Sequence, residues 1–131
     1  MIFIENDKGK YLIQKTSANK GSLYSTTGGH VSENETPDEA LIREVKEEIG
    51  LDLDMNNVKY LGNIITGTPI RFIYYLKQNN DINDFTVQEE EVEYVKYMSE
   101  NEILNLINEG LFLESHAICF NKFLDMKKDI K

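Results

Sequence analysis

The sequence predicts an α/β (α+β) fold, in which helices pack against a mixed β-sheet. Three observations support this prediction. Runs rich in β-branched and aromatic residues predict strands, and two segments with helix-capping signals predict helices. The length of 131 residues suits one compact domain, which we expect to span residues 1–131.

Two strands and a turn are predicted at the start of the chain. Met1–Glu5 and Lys10–Lys15 are apolar runs joined by a turn-rich group, so they predict a hairpin. A chain that begins inside a strand raises the expectation that a few leading residues are missing. A further short strand, Ser25–Thr27, is expected to lead into Gly28 and Gly29, whose backbone can approach a cation or phosphate closely.

The first predicted helix has clear boundaries. Thr36 in the N-cap position, Pro37 at the first helical residue and Glu39 form a capping box, and Gly50 follows the last helical residue. At 100° per residue, one side of this helix is an apolar stripe that we expect to dock on a core. The stripe consists of Leu41, Ile42, Val45 and Ile49.

Three glutamates lie beside the apolar stripe of this helix. Glu44, Glu47 and Glu48 repel one another unless a cation lies among them, and Ala40 leaves room for a ligand nearby. Carboxylate oxygens are ligands that Mg²⁺ and Mn²⁺ prefer. A solvated acidic helix face is the alternative explanation for three glutamates taken alone.

The second half of the chain predicts three more strands and two helices. Val58–Thr66 and Ile70–Lys77 are expected at the centre of the sheet, with Gly67-Thr68-Pro69 between them, and Val92–Met98 alternates as a strand. The stretch from Gln78 to Asp84 predicts a flexible loop. A helix is predicted from the Ser99–Glu102 capping box to about Asn108, and Gly110 closes it.

The final helix is expected over most of Leu111–Lys128. Its predicted packing residues are Phe112, Ile118, Phe120, Phe123 and Leu124. His116 has no carboxylates at ligand spacing, so we interpret it as structural and leave it out of the site.

Composition limits the classes of partner. The formal net charge is −9, with 14 basic and 23 acidic residues, which argues against a nucleic-acid partner held through its phosphates. A phosphate substrate remains compatible if bound cations supply the positive charge. The apolar runs are far below the roughly 20 residues of a membrane span, so we expect no membrane partner.

Cysteine usage and the N-terminus favour a cytoplasmic location. Cys119 is the only cysteine, which excludes an intrachain disulfide, and we expect a buried, inert thiol. The first residues show neither a charged-then-apolar leader nor a cleavage site.

The segment around the first helix resembles a known motif. Gly29, five residues, Glu35, seven residues, Arg43-Glu44-Val45, one residue, Glu47-Glu48, one residue and Gly50-Leu51 match the Nudix box at each defining position. The resemblance implies a Nudix hydrolase, with an α/β/α sandwich around a mixed sheet. Members of that superfamily cleave nucleoside diphosphates linked to another moiety, so the implied partner is a small-molecule nucleotide or organic diphosphate.

The resemblance also implies a metal site. Glu44, Glu47 and Glu48 would hold Mg²⁺ (or Mn²⁺), and the carbonyl of Gly28 would complete part of the shell. The proton of the attacking water would pass to a glutamate whose identity varies in the family.

Three residues therefore stay open as the general base: Glu44, Glu48 and Glu91. The last of these belongs to the acidic run Glu89–Glu91, which a charged loop would also explain. The family resemblance makes Glu91 the first choice from this loop and Glu90 the second.

Arg43 and Glu35 are expected to steady the carboxylates from outside the metal shell. Arg43 is placed to pair with Glu47 or to reach Glu35. Lys15 and Lys20 are candidate phosphate contacts, although exposed loop lysines are more often solvated.

Departures from the family pattern leave the substrate open. Thr16 stands where many relatives have arginine, Tyr24–Thr27 replaces a Trp-Pro pair, and Pro69 lies beyond the characteristic proline of ADP-ribose pyrophosphatases. A non-catalytic nucleotide-sensing module is the main alternative. An isoprenoid diphosphate isomerase-like protein is less favoured, because it needs a cysteine before the helix and Cys119 comes too late. Homodimers are frequent in the family, but the sequence identifies no interface.

Overall fold

The computed structural model describes residues 1–65 and 70–130. The predicted turn at Gly67-Thr68-Pro69 and the predicted strand end at Thr66 lie outside the described residues.

Six strands form one sheet in the described part of the chain: β1 (Ile2–Glu5), β2 (Tyr11–Thr16), β3 (Tyr24–Ser25), β4 (Lys59–Ile65), β5 (Ile70–Lys77) and β6 (Val92–Met98). The order is β3-β2-β1-β5-β4, and β6 pairs with β2. The expected central position is therefore wrong for β4, which pairs only with β5 and lies at an edge of the described sheet. Strands β1 and β5 are parallel while the other pairings are antiparallel, so the sheet is mixed as predicted.

The described residues contain three α-helices: α1 (Pro37–Ile49), α2 (Glu100–Asn108) and α3 (Glu114–Lys127). Both predicted capping boxes are confirmed. The Thr36 side chain accepts from the Glu39 amide at the start of α1, and Ser99 accepts from Glu102 at the start of α2. No helix in residues 1–65 and 70–130 is long and apolar enough to cross a membrane.

The two faces of the sheet carry separate hydrophobic cores. Because successive side chains in a strand point to opposite faces, β1 contributes Phe3 to one core and Ile2 and Ile4 to the other. Leu41, Val45 and Ile49 of α1 cover the Ile2 face, while α2 and α3 cover the Phe3 face. The helices therefore enclose the sheet, and the predicted α/β/α sandwich is confirmed.

The prediction that Ile42 and Ile118 pack in the core is wrong. Ile42 is 41% exposed and Ile118 is 40% exposed. On α1 the buried arc extends from Leu41 toward Glu48, so Ile42 lies at its outer edge. On α3, the buried residues lie on the side opposite Ile118, from His116 to Phe123.

The boundaries of α3 and of the short strand before Gly28 also differ from the predictions. Helix α3 begins at Glu114, because Tyr24 and Phe112 form a bridge that holds the preceding segment against β3. The short strand is Tyr24–Ser25, and Thr27 pairs only with Ile2. The chain then enters Gly28 directly from the sheet, which places the glycines beside α1.

Candidate active site

Glu44 and Glu48 lie one turn apart on α1 and face the sheet. The side chain of Glu44 is 20% exposed and Glu48 is 9% exposed. The amide nitrogen of Gln14, on β2, donates to Glu48 Oε1 at 2.9 Å. Thr27 Oγ1 donates to Gln14 Oε1 at 2.7 Å, so the orientation of the Gln14 amide is fixed. A buried polar chain thus holds the Glu48 carboxyl in place.

Burial, together with the neighbouring Glu44 carboxyl, raises the pKa of Glu48 to about 8. The Gln14 donor and the backbone of Gly28 act in the opposite direction and favour the carboxylate. The raised pKa favours the protonated form of Glu48 when no cation is bound. A divalent cation would displace that proton, because it stabilises both carboxylates in the charged form.

The two glycines before the loop allow the carboxylates to lie against the backbone. A Cβ built on Gly29 would lie 3.0 Å from the carboxyl carbon of Glu44. Gly28 has φ of +125°, and a Cβ there would lie 2.5 Å from Met1 Cα. Only glycine satisfies both constraints without a shift in the surroundings.

Arg43 connects the loop before α1 to the glutamates on it. Its Nη2 and Nε donate to the two carboxylate oxygens of Glu35 at 2.6 and 3.1 Å. Its Nη1 donates to Glu44 at 2.9 Å and to Glu47 at 3.4 Å. Both contacts expected for Arg43 are therefore present, together with a third to Glu44. The planar guanidinium suits this fork geometry, which the ammonium of a lysine lacks.

The hydrogen bonds from Arg43, together with the one from the backbone amide of Ser32, lower the pKa of Glu35 to about 2. The same Glu35 contact raises the pKa of Arg43. Glu35 therefore stays ionised and anchors Arg43, while Arg43 fixes one oxygen of Glu44.

Glu47 lies at the outer edge of the cluster. Its side chain is 54% exposed. Of the three carboxylates that Arg43 contacts, Glu47 lies farthest from the guanidinium. Glu44 and Glu48 thus form the inner pair of the three predicted ligands.

A cavity of about 240 Å³ opens next to Glu48, between β2, β3, the start of α3 and the loop before β6. Its wall is mostly polar, with an apolar portion formed by Val92 and Leu113. The lining residues include Gln14, Thr26, Gly28, Glu48, Glu91 and His116. The structure therefore brings Glu91, from a distant loop, to the same cavity as Glu48.

The loop that carries Glu91 is fixed to both neighbouring elements. Ser17 at the end of β2 donates through its Oγ to the Glu89 carbonyl at 2.6 Å and through its amide to the Glu91 carbonyl at 3.0 Å. The amide of Gln88 donates to the carbonyl of Glu48 at 3.2 Å. These bonds hold the predicted acidic loop beside the end of α1.

Of the remaining predicted site residues, Lys20 lines the cavity, whereas Lys15 and Glu90 do not. Lys20 lines the cavity and its Nζ lies 3.8 Å from Glu91. Lys15 does not line the cavity, since its Nζ lies 4.9 Å from the ring centroid of Tyr24. Glu90 is exposed on the turn and does not line the cavity either.

Sequence reasoning gave no site role to Gln14, Thr26 and His116, which line the cavity, and it interpreted His116 as structural. Gln14 directly follows the apolar run Tyr11–Ile13, and a polar residue there is a signal for a buried polar contact. Thr26 and His116 carry no local signal. The Thr26 amide donates to His116 Nδ1 at 3.1 Å across 90 positions of sequence.

Within residues 1–65 and 70–130, no group of three or more His, Cys, Asp or Glu side chains is arranged to hold a metal ion. The inner pair nevertheless has the donor chemistry of a hard divalent cation. Glu44 and Glu48 are crowded carboxylates whose mutual repulsion a cation would relieve, and the Gly28–Gly29 backbone lies against them.

The chain is similar to a defined family in sequence. A family model described as NUDIX domain matches residues 1–115. An uncharacterised Nudix hydrolase of Listeria innocua is 28% identical over 116 residues, which cover 86% of this chain and 69% of the relative. An 8-oxo-dGTP diphosphatase of Proteus vulgaris is 48% identical over 33 residues, which cover 25% of this chain and 30% of that protein.

Solved structures show the same fold. A protein from Deinococcus radiodurans superposes with a TM-score of 0.77 at 18% identity, covering 92% of this chain and 77% of that one. An Ap4A hydrolase of C. elegans, solved as a binary complex, gives a TM-score of 0.68 at 15% identity, covering 98% and 97%. At these identities the likeness shows the shared architecture alone.

Proposed function

This chain belongs to the Nudix hydrolase family, and on that premise we propose that it is a divalent-metal-dependent pyrophosphohydrolase. Its substrate would be a nucleoside diphosphate linked to another moiety. The observation that carries the proposal is the inner pair, in which Glu48 is 9% exposed and lies one helical turn from Glu44 beside a cavity. Such a pair is costly to bury without a cationic ligand.

Bound Mg²⁺ or Mn²⁺ would neutralise charge on the diphosphate and make a water molecule more acidic. Glu44 and Glu48 are the inner proposed ligands, and the Gly28 carbonyl is a third. Glu47 is the outermost proposed ligand, because its side chain is 54% exposed and turns toward Arg43.

The proton of the attacking water would pass to Glu44, Glu48 or Glu91. The first two lie on α1, while Glu91 reaches the cavity from the loop before β6. The side chain of Glu91 is 50% exposed and pairs only loosely with Lys20, so it can turn within the cavity. Glu90 is the second choice from this loop, and it would have to rotate from the exposed turn to reach the cavity.

Arg43 and Glu35 would act as positioning residues. The Glu35 carboxylate fixes Arg43 through two hydrogen bonds, and Arg43 fixes Glu44 through a third. Preorganised ligands do not have to reorient during the reaction, which lowers the barrier.

Among the two candidate phosphate contacts, the structure favours Lys20. It lines the cavity, whereas Lys15 packs against Tyr24. Because the whole chain has a formal net charge of −9, a cation at the cavity edge would help an anionic substrate to approach.

The names of the relatives do not fix the substrate. The 8-oxo-dGTP diphosphatase match covers 25% of this chain, and the Ap4A hydrolase is 15% identical. The buried, unpaired Cys119 is compatible with the proposed cytoplasmic location.

A substrate panel tests the proposal. The chain would be incubated with nucleoside triphosphates, sugar nucleotides, ADP-ribose, dinucleoside polyphosphates and coenzyme A, with Mg²⁺ or Mn²⁺ and with a chelator. We expect metal-dependent phosphate or monophosphate release from at least one compound. Tight nucleotide binding without turnover of any compound would overturn the proposal and favour a nucleotide sensor.

A further inference from the structure

His116 lies in the wall of the cavity, at the start of α3, and the reaction described above does not use it. The residue is 7% exposed and lines the cavity together with Thr26, Gln14 and Glu48. A buried histidine beside a reactive pair is a candidate for recognition of the substrate.

The hydrogen bonds of His116 fix its tautomer. The backbone amide of Thr26 donates to His116 Nδ1 at 3.1 Å, and a backbone amide can act only as a donor. Nδ1 therefore carries no proton, and in the neutral ring the proton lies on Nε2. Thr26 Oγ1 lies 2.8 Å from the same Nδ1 and adds a second contact to it.

The Nε2–H group is available to a ligand. Across residues 1–65 and 70–130, the side-chain hydrogen bonds of His116 all involve Nδ1. Among the described residues, Arg71 Nε is the one side-chain nitrogen or oxygen that is fully buried and has no hydrogen-bond partner. His116 Nε2 also has no partner there, so it is not fully buried. Because His116 lines the cavity, this donor is open to it.

The ring stays uncharged over the physiological range. Burial, together with the nearby charge of Arg71, lowers the pKa of His116 to about 3. A phosphate group would be bound best by a cation, whereas a neutral donor matches an uncharged acceptor.

The size and lining of the cavity fit one heterocycle. Its volume of about 240 Å³ is below that of pockets for whole drug-sized ligands, roughly 300–1,000 Å³. Val92 and Leu113 supply apolar wall on which a flat ring can pack, and Thr26 and Ser25 border the polar side. A nucleobase at the His116 side of this cavity would place the diphosphate toward Glu48, Glu91 and Lys20, which line the same cavity.

We propose that His116 is a specificity residue that donates a hydrogen bond from Nε2 to a ring nitrogen or carbonyl oxygen of a nucleobase, while Thr26 holds the imidazole in the required tautomer. This inference rests on the proposed function, since it assigns the nucleoside end of the same substrate to the cavity. A base that presents an acceptor at this position is favoured over one that presents a donor.

Binding of reaction products without metal tests the inference separately from turnover. AMP, GMP, CMP and UMP would be compared with ribose 5-phosphate by calorimetry, which isolates the base contribution from that of the phosphate. In the unaltered chain we expect at least one monophosphate to bind ten times more tightly than ribose 5-phosphate. Equal affinity for all five compounds would overturn the inference.

Three variants locate the effect. His116→Phe keeps a ring but removes both nitrogens, and His116→Asn keeps polarity but does not reach the Nε2 position. Both should reduce the base preference, which is the affinity for the monophosphate divided by that for ribose 5-phosphate, to about one. His116→Gln places an amide donor near Nε2 and should retain most of it. Thermal unfolding checks that each variant folds. An undiminished preference in His116→Asn or His116→Phe would overturn the inference.

A spectroscopic readout needs no variant. In ¹⁵N-labelled protein, the His116 ring should show a protonated Nε2 and an unprotonated Nδ1 from pH 5 to 8, and the bound monophosphate should shift the Nε2 resonance. A protonated Nδ1, or an Nε2 resonance unmoved by a saturating monophosphate, would contradict the proposal. If the substrate panel shows no hydrolysis but this shift occurs, the catalytic proposal fails while the recognition site stands.

Discussion

The Arg43 cluster on α1 and the wall of the adjoining cavity are built in opposite ways. Arg43 contacts Glu35, Glu44 and Glu47 at sequence separations of 8, 1 and 4. Across the cavity, Gln14 reaches Glu48 over 34 positions and Thr26 reaches His116 over 90. The groups proposed for chemistry are thus set largely by one helix and its loop, whereas the groups proposed for recognition depend on the completed sheet.

The largest effect is expected at Glu48, which lies on α1 and also lines the cavity. Glu48→Gln keeps the size of the side chain and its contact with Gln14 but cannot form a carboxylate. We expect activity on the best substrate of the panel to fall about 1000-fold, with thermal unfolding little changed. Glu109→Gln, which alters an exposed carboxylate at the end of α2, is the matched control. Full activity in Glu48→Gln would remove Glu48 from the site.

A smaller loss is expected when the α1 cluster is loosened from its loop. Arg43→Ala leaves Glu35 and Glu44 without their shared partner, so activity should fall about 10- to 100-fold and the Mg²⁺ requirement should rise. Arg43→Lys should recover little, because an ammonium lacks the guanidinium fork.

Lys46→Ala provides the control on the same helix. Lys46 is exposed and pairs with Asp52, away from the cluster. Activity should stay unchanged in this variant. Equal losses in Lys46→Ala and Arg43→Ala would show that the effect arises from helix stability and not from the cluster.

The burial of His116 in the cavity wall should make the free energy of unfolding depend on pH in the acidic range. His116 has a folded-state pKa of about 3, below its ordinary value. As the pH falls below the ordinary value, the His116 side chain therefore becomes protonated in the unfolded chain but stays neutral in the native chain. The His116 contribution to stability is therefore lost as pH falls below about 6.5. Between pH 7 and 5 the free energy of unfolding should fall by about 2 kcal/mol more than in His116→Gln.

Urea unfolding at both pH values measures this difference. Other titrating groups, Glu48 among them, are common to both proteins, so the comparison isolates His116. Parallel changes in the two proteins would show that His116 becomes protonated in the folded state, contrary to its buried environment.

The smallest effect is expected at the start of α1. Thr36→Ala removes the acceptor for the Glu39 amide and should cost about 1 kcal/mol of stability. Ser99→Ala removes the equivalent cap from α2 and should cost a similar amount. Urea unfolding measures both variants. A loss well beyond the Ser99→Ala value would indicate that the Thr36 cap also supports the site.

Several features of the fold follow from local sequence. The bounds of α1 were predictable because Thr36, Pro37 and Gly50 act on their own turns of backbone. The strands β5 and β6 were predictable because their composition and alternation persist over whole segments. The wrong assignment of Ile42 shows the limit: helical periodicity locates an apolar side but not the angle at which the sheet meets it.

The sequence by itself identified the family and the α/β/α architecture, because one motif with specific spacing resembles the Nudix box, and it offered acidic residues as candidates for the site. The tertiary structure decided which of those residues share one space. It paired Glu44 with Glu48, turned Glu47 outward and brought Glu91 to the cavity while Lys15 and Glu90 stayed outside. It also placed His116 against Thr26. Hydrogen bonds between residues so distant along the chain leave no periodic trace, so only the folded sheet could reveal them.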